Sequence, residues 1–264
     1  MTDDAWIEPA LRRLCEAPEG YPRAVATDAD GTLWAGDLGD EAFLLVTQPD
    51  DLRGEGRARF LAGARELLGD AAQGSVPEDA LSLMAGYAAG RIDIVPLCAL
   101  QAECLGERDL HEHQALLAAA AERVVPRIHP DVRAFLREAR RLGATLHVVT
   151  GSLGTLVAEA LRRASVPYDT VSGGALTVTP GWVRGRLAAP IPLHGGKVEA
   201  LRRVGAWPAA LGMGDGHWDA TFLLGVSTPV LVRPKAALVS ALAARTDVII
   251  AGPSPVSPPQ ETLR

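Results

Sequence analysis

The chain has 264 residues, 48% of them hydrophobic and 22% charged, the composition of a globular protein rather than of a disordered or collagen-like one. Its 26 Lys and Arg against 32 Asp and Glu leave a net charge of −6, which argues against a phosphate-backbone binder and so against nucleic acid as a partner. No apolar run reaches the ~18 residues that span a bilayer, Met1 to Glu19 lacks a secretory pattern, and the scattered Cys15, Cys98 and Cys104 read as reduced thiols. A cytoplasmic protein without membrane contact is expected, with one large or two small domains at roughly 150 residues each. Its oligomeric state is left open. Only Lys197 and Lys235 are lysines; the other basic residues are arginine. Lysine is kept either by chance or where a compact, strongly hydrated charge is needed.

Arg23-Ala-Val-Ala-Thr-Asp28 reads as a short buried strand running into a polar loop. From about Leu38 to Arg123 the periodicity is helical: Phe60, Leu61, Ala64, Leu67 and Leu68 form one stripe, and Leu81, Met84, Ala85 and Ala88 another. Ser75-Val-Pro-Glu78 has capping-box spacing with proline in the first turn. Leu97, Leu100, Cys104 and Leu105 have core spacing, while His111-Glu-His113 reads as a solvated helix start because i and i+2 do not face each other. An amphipathic helix follows, with Val132, Phe135, Leu136, Ala139 and Leu142 on one face and Gly143 as its stop.

Next come a strand over 145–150, a helix over 152–163, a strand over 168–171, and a small hairpin pairing 176–178 with 182–184. A helix from Lys197, a strand over 209–215, a helix from Asp219, a strand over 229–232, a helix from Lys235 and a strand over 247–250 complete the pattern. Such alternation predicts an α/β fold with a parallel sheet covered on both faces. The expected division is a discontinuous core, 1–37 and 124–251, with an all-helical insertion at 38–123. The Pro- and Ser-rich tail, 252–264, is expected to be unstructured.

Ligands of open α/β sheets bind at the carboxyl ends of the strands, so the residues there carry the functional reading. After the first strand comes Asp28-Ala-Asp30-Gly31-Thr32, two carboxylates that suit a hard divalent cation, or one nucleophile and one acid/base. An EF-hand is excluded, because the glycine is fourth in the loop and the twelfth residue is Gly39. After the second strand comes Thr150-Gly151-Ser152; Thr150 at the strand tip is the ligand candidate and Ser152 reads as a plain N-cap. Gly195-Gly196-Lys197 opens a helix but lacks the first glycine and the hydroxyl of a phosphate loop, having Ile191 and Val198 there. Gly212-Met-Gly-Asp215-Gly-His217-Trp218-Asp219 fails as a dinucleotide fingerprint and reads better as two carboxylates at a strand-to-helix turn.

Taken together, Asp-x-Asp, Thr, Lys and Asp-x-x-x-Asp at successive strand ends and helix starts resemble the four motifs of the haloacid dehalogenase superfamily, over about Arg23 to Ile250. The insertion after the first motif resembles the helical cap of its phosphoserine-phosphatase-like subgroup. The resemblance implies a Rossmann-like core and a magnesium-dependent phosphatase. Asp28 would be the nucleophile and Asp30 the acid/base. Mg2+ would be held by Asp28, the Asp30 backbone carbonyl and Asp215. Thr150, Gly151 and Lys197 would bind the phosphoryl group, and Asp219 would orient Lys197 or a metal water. A phosphomutase shares these motifs, and a non-catalytic phosphate-binding module is the third reading.

The substrate would be a small organic phosphate monoester. Asp37, nine residues after Asp28, stands where the subgroup has a substrate-contacting Glu. It would suit an amine, as in phosphoserine or phosphocholine, or be a solvated helix start. Trp34 and Trp218 flank the motif loops and form either an aromatic wall for a choline-like cation or ordinary packing. His217 is a further candidate for substrate contact. Relative to the subgroup, Gly31 replaces Ser, Trp218 replaces Asn, and the cap arginine has no assigned counterpart.

Overall fold

The structure, a computed structural model, describes residues 4–252. Its elements run α1 (Ile7–Cys15), β1 (Ala24–Thr27), α2 (Leu38–Thr47), α3 (Gly54–Leu68), α4 (Val76–Ala88), α5 (Ile94–Cys104), β2 (Arg108–Asp109), α6 (Leu110–Val124) and α7 (Pro130–Arg141). There follow β3 (Thr145–Leu153), α8 (Gly154–Arg163), β4 (Thr170–Thr179), β5 (Trp182–Ala189), α9 (Gly195–Arg203) and β6 (Leu211–Gly214). The described chain closes with α10 (Ala220–Leu223), β7 (Thr228–Val232), α11 (Ala236–Ala241) and β8 (Ile249–Ala251). Beyond Gly252, the tail expected to be unstructured lies outside the described residues.

One sheet carries the molecule, in the order β2-β5-β4-β3-β1-β6-β7-β8, parallel from β4 to β8. β1 lies between β3 and β6, with Val25 opposite Leu146 on one side and Leu211 on the other. Every β1 residue is buried, as a central parallel strand requires. Its side chains alternate between two apolar layers: Val25 packs into one, Ala24 and Ala26 into the other. The three central strands therefore end side by side, and the loops after β1, β3 and β6 meet at one edge.

The predicted hairpin is longer than anticipated. β4 and β5 pair antiparallel and carry the sheet outward, and β2, from the helical insertion, adds to β5. Gly106 makes this join possible, since a Cβ there would fall 2.4 Å from the Cα of Gly185. Other expectations are corrected. On α4 the buried residues are Val76, Asp79, Ala80, Leu83 and Gly86, and Leu81 is 52% exposed, so the inward face is about one position away from the stripe expected. The Ser75 side chain makes no cap bond; the Asp79 carboxylate instead accepts from Gln73 and Gly74 N–H at 2.7 and 3.1 Å. α7 buries its predicted face except Leu142, and Gly143 ends it with φ +82°. Leu97, Leu100, Cys104 and Leu105 are buried as their spacing indicates. His113 is also buried, its Nδ1 2.9 Å from the Leu105 carbonyl oxygen.

Candidate active site

Asp28 leaves β1 with its N–H donated to the Met213 carbonyl on β6 at 2.9 Å, which fixes the loop against its neighbour. Its Oδ1 accepts from Lys197 Nζ at 2.6 Å and its Oδ2 from the Thr32 hydroxyl at 3.2 Å. Lys197, in the first turn of α9, is 2% exposed and also donates to Asp219 Oδ1 at 2.6 Å. Burial opposes its charge, yet Asp219 and Asp28 outweigh that and hold the ammonium above its ordinary pKa. Asp28 is pushed well above the usual carboxylate range by burial and by Asp219, against the pull of Lys197.

Asp30 faces the same space with different company. Oδ1 accepts from the Trp34 indole at 2.9 Å and Leu38 N–H at 2.7 Å, and Oδ2 from the Ser152 hydroxyl at 2.7 Å. Burial and the nearby charge of Asp37 raise its carboxyl to about 7, although these donors favour the ionised form. Thr150 is fully buried, 3.5 Å from Asp30 Oδ2, and its hydroxyl accepts from Ser152 N–H. The cavity is lined at this strand end by Gly151 and Ser152. Ser152 is not an N-cap: β3 continues to Leu153 and α8 begins at Gly154.

Asp215, at the end of β6, pairs through Oδ2 with Lys235 Nζ at 2.8 Å, and burial raises its pKa against that pull. Asp219 Oδ2 accepts from the N–H groups of Asp215 and Gly216, both at 3.1 Å. Gly31, with φ +80°, passes so close that a Cβ there would meet Asp215 Oδ2 at 2.2 Å, so serine is not accommodated in this arrangement.

These groups floor a cavity of about 120 Å³. Its far wall is the α5 face carrying Ile94, Leu97, Cys98, Gln101, Ala102 and Leu105, with Tyr87 of α4 beside it. Asp37 and Asp40 reach in from the start of α2. Asp37 serves as N-cap, accepting from Asp40 N–H at 2.9 Å, and also lines the cavity, so both of its expected roles have a place. Solvent reaches Asp37, but protein atoms crowd its carboxyl; that desolvation, with the charge of Asp40, raises it to about 7. Trp218 lines the cavity with His194 edge-on at 4.5 Å and His217 at 3.8 Å between ring centroids. The aromatic wall is corrected in one member: Trp34 is fully buried and holds Asp30. His217 is exposed and packs on Trp218 rather than lining the cavity.

A family model for haloacid dehalogenase-like hydrolases matches residues 25–224. The chain belongs to that family. No curated protein matches it in sequence. Among solved structures it is similar to a protein of unknown function from Bordetella pertussis Tohama I, with TM-score 0.65, 19% identity, and 87% of this chain and 98% of that one covered. It is also similar to a phosphoserine phosphatase in a phospho-aspartyl intermediate analogue, with TM-score 0.55, 15% identity, and coverages of 89% and 96%. Cytosolic 5'-nucleotidase IIIB bound to cytidine gives TM-score 0.53, 16% identity, and coverages of 96% and 88%. At these identities the likeness is one of fold, a Rossmann-like α/β core with a cap.

Magnesium, the ion the resemblance implies, fits the residues present. Asp28, Asp215 and Asp219 offer oxygen atoms all within 4.8 Å of one another, a hard donor set in a crowded anionic site. Both Asp219 oxygens are engaged by Lys197 and backbone N–H, both Asp28 oxygens by Lys197 and Thr32, and Asp215 Oδ2 by Lys235. Among the described residues, no helix of this hydrolase is long and apolar enough to cross a membrane. Sequence reasoning passed over Lys235, Ser152, Tyr87 and Gln101. Composition did carry a signal for Lys235, because both of the chain's lysines line this cavity.

Proposed function

We propose that this hydrolase is a cytoplasmic, magnesium-dependent phosphatase acting on a small phosphate monoester through an aspartyl-phosphate on Asp28. Residues 1–37 and 124–251 would form its core and 38–123 its cap. The observation that carries this reading is the contrast between two carboxyls facing one cavity: Asp28 paired with the Lys197 ammonium at 2.6 Å, and Asp30 held by neutral donors with its carboxyl raised to about 7. One is placed to attack and the other to exchange protons near neutrality.

An Asp28 oxygen forms a bond to phosphorus while the bond to the leaving oxygen breaks, and Asp30 gives its proton to that oxygen. Asp30 then takes a proton from water; the water oxygen attacks phosphorus, the bond to Asp28 breaks and phosphate is released. Mg2+ held by Asp28, the Asp30 carbonyl and Asp215 would supply positive charge that keeps Asp28 ionised and draws electron density from the phosphoryl group. Lys197 fixes the orientation of Asp28, Asp219 fixes Lys197, and Gly151, with Thr150 behind it, completes the phosphate cradle. Asp37 favours an amine-bearing ester such as phosphoserine or phosphocholine.

Phosphate release from a panel of small esters, with Asp28→Asn as control, tests this reading. Release that requires both Mg2+ and Asp28 is expected. Isomerised ester without free phosphate would mean a phosphomutase; full rate in the Asp28→Asn variant would overturn the nucleophile.

A further inference from the structure

Beside Asp30, where α2 begins, the cavity is rich in acceptors. Asp37 and Asp40 both line it, and the Gln101 amide nitrogen is already donated to Asp40 Oδ1 at 2.8 Å, so this side chain has its carbonyl oxygen to offer. Tyr87 adds a neutral hydroxyl. Of the two cations of the cavity, Lys197 is buried and committed to Asp28 and Asp219 at 2.6 Å, and Lys235, its side chain 69% exposed, pairs with Asp215 at 2.8 Å. Arginine is the common cation of this chain, yet none lines the cavity. Six carboxylates thus share the space with two paired ammonium groups.

A substrate carboxylate beside Asp37 and Asp40 would be desolvated against acceptors with no arginine in the lining to receive it, an unfavourable burial. An ammonium would find two carboxylates and an amide oxygen. Beside them, Leu97, Cys98, Ala102 and Leu105 of α5 offer a surface for methylene carbons. We propose that the leaving group is an amino alcohol without a carboxylate, its ammonium held between Asp37 and Asp40 and its methylenes against α5. This rests on the phosphatase reading and narrows it: phosphoethanolamine is of the preferred class and phosphoserine is the poor substrate.

The test pairs calorimetric binding of phosphoethanolamine and phosphoserine to the Asp28→Asn chain in Mg2+ with phosphate release by the unmodified chain. Phosphoethanolamine should bind about tenfold or more tightly, the scale of one charge-assisted hydrogen bond, and kcat/KM should rank the same way. Asp37→Asn, which keeps a residue able to cap α2, and Asp40→Asn should each shrink that ratio by raising KM for the amine ester. Equal or tighter binding of phosphoserine overturns the inference, as does a ratio unmoved in both variants. Release from p-nitrophenyl phosphate without amine preference overturns this inference and leaves the phosphatase standing. Absence of release from any ester overturns the phosphatase, and binding by the Asp28→Asn chain still decides the preference.

Discussion

The floor and the far wall of the cavity are built on opposite principles. On the floor, Asp28, Lys197, Asp219 and Asp215 are linked in a chain by bonds of 2.6 to 3.1 Å and Asp30 is held by Ser152 at 2.7 Å, groups drawn from four parts of the chain. The wall is one helical face, α5, whose contribution is shape and the lack of a cation. A reciprocally bonded floor should fail steeply when one member is removed. A wall of this kind should fail gradually, in affinity and selectivity rather than in chemistry.

The largest effect is expected at Asp28, where Asp28→Asn should lower turnover by roughly 10⁴-fold or more, as removal of a covalent nucleophile does. Lys197→Met should cost roughly 10²–10³-fold in kcat by withdrawing an oriented positive charge. It should also destabilise the fold by about 3–5 kcal/mol, because Asp28 and Asp219 would stay buried without their shared partner. Chemical denaturation separates the two losses; a Lys197→Met chain as stable as its parent would show that the ammonium is not what holds the floor.

Asp30 sharpens the contrast through pH. With its carboxyl raised to about 7, the proton needed by the leaving oxygen is lost above neutrality, so kcat/KM should fall as pH rises past about 7. Asp30→Asn should remove that limb and roughly 10²–10⁴-fold of the rate. Stability carries the same sign. Asp30 and Asp37 bind their protons more tightly folded than unfolded, so their contribution is full below about pH 4 and is lost as pH rises to about 7. Thermal denaturation of the metal-free chain should show that decline, and Asp37→Asn should flatten part of it.

The two regions also differ in how far the sequence revealed them. The floor was legible because its chemistry needs particular residue types at strand ends, and alternating elements locate strand ends well. What escaped there was tertiary. Ser152 reads as a cap because a hydroxyl after Gly151 suggests a helix start, whereas β3 runs on to Leu153 and turns the hydroxyl toward Asp30. Trp34 is drawn inward by its bond to Asp30, which no local pattern encodes. Lys235, after β7, meets Asp215 in the neighbouring loop after β6, and only the scarcity of lysine hinted at it.

The helical insertion was legible as helices, and its faces were legible at Leu97, Leu100, Cys104 and Leu105 but not on α4. On α4 the apolar residues Leu81 and Met84 suggested one stripe, but the helix packs through Val76, Ala80, Leu83 and Gly86, with Gly86 so near Ile92 that a Cβ would come within 2.6 Å of it. The suggested stripe and the buried face differ by about one position. The smallest expected effect tests this directly. Leu83→Ala should cost about 2–5 kcal/mol, the penalty for a cavity at a fully buried leucine. Leu81→Ala, at a residue 52% exposed, should stay within about 0.5 kcal/mol. Equal losses at both positions would mean that α4 packs through the face its periodicity suggests, and would shift Tyr87 away from the cavity.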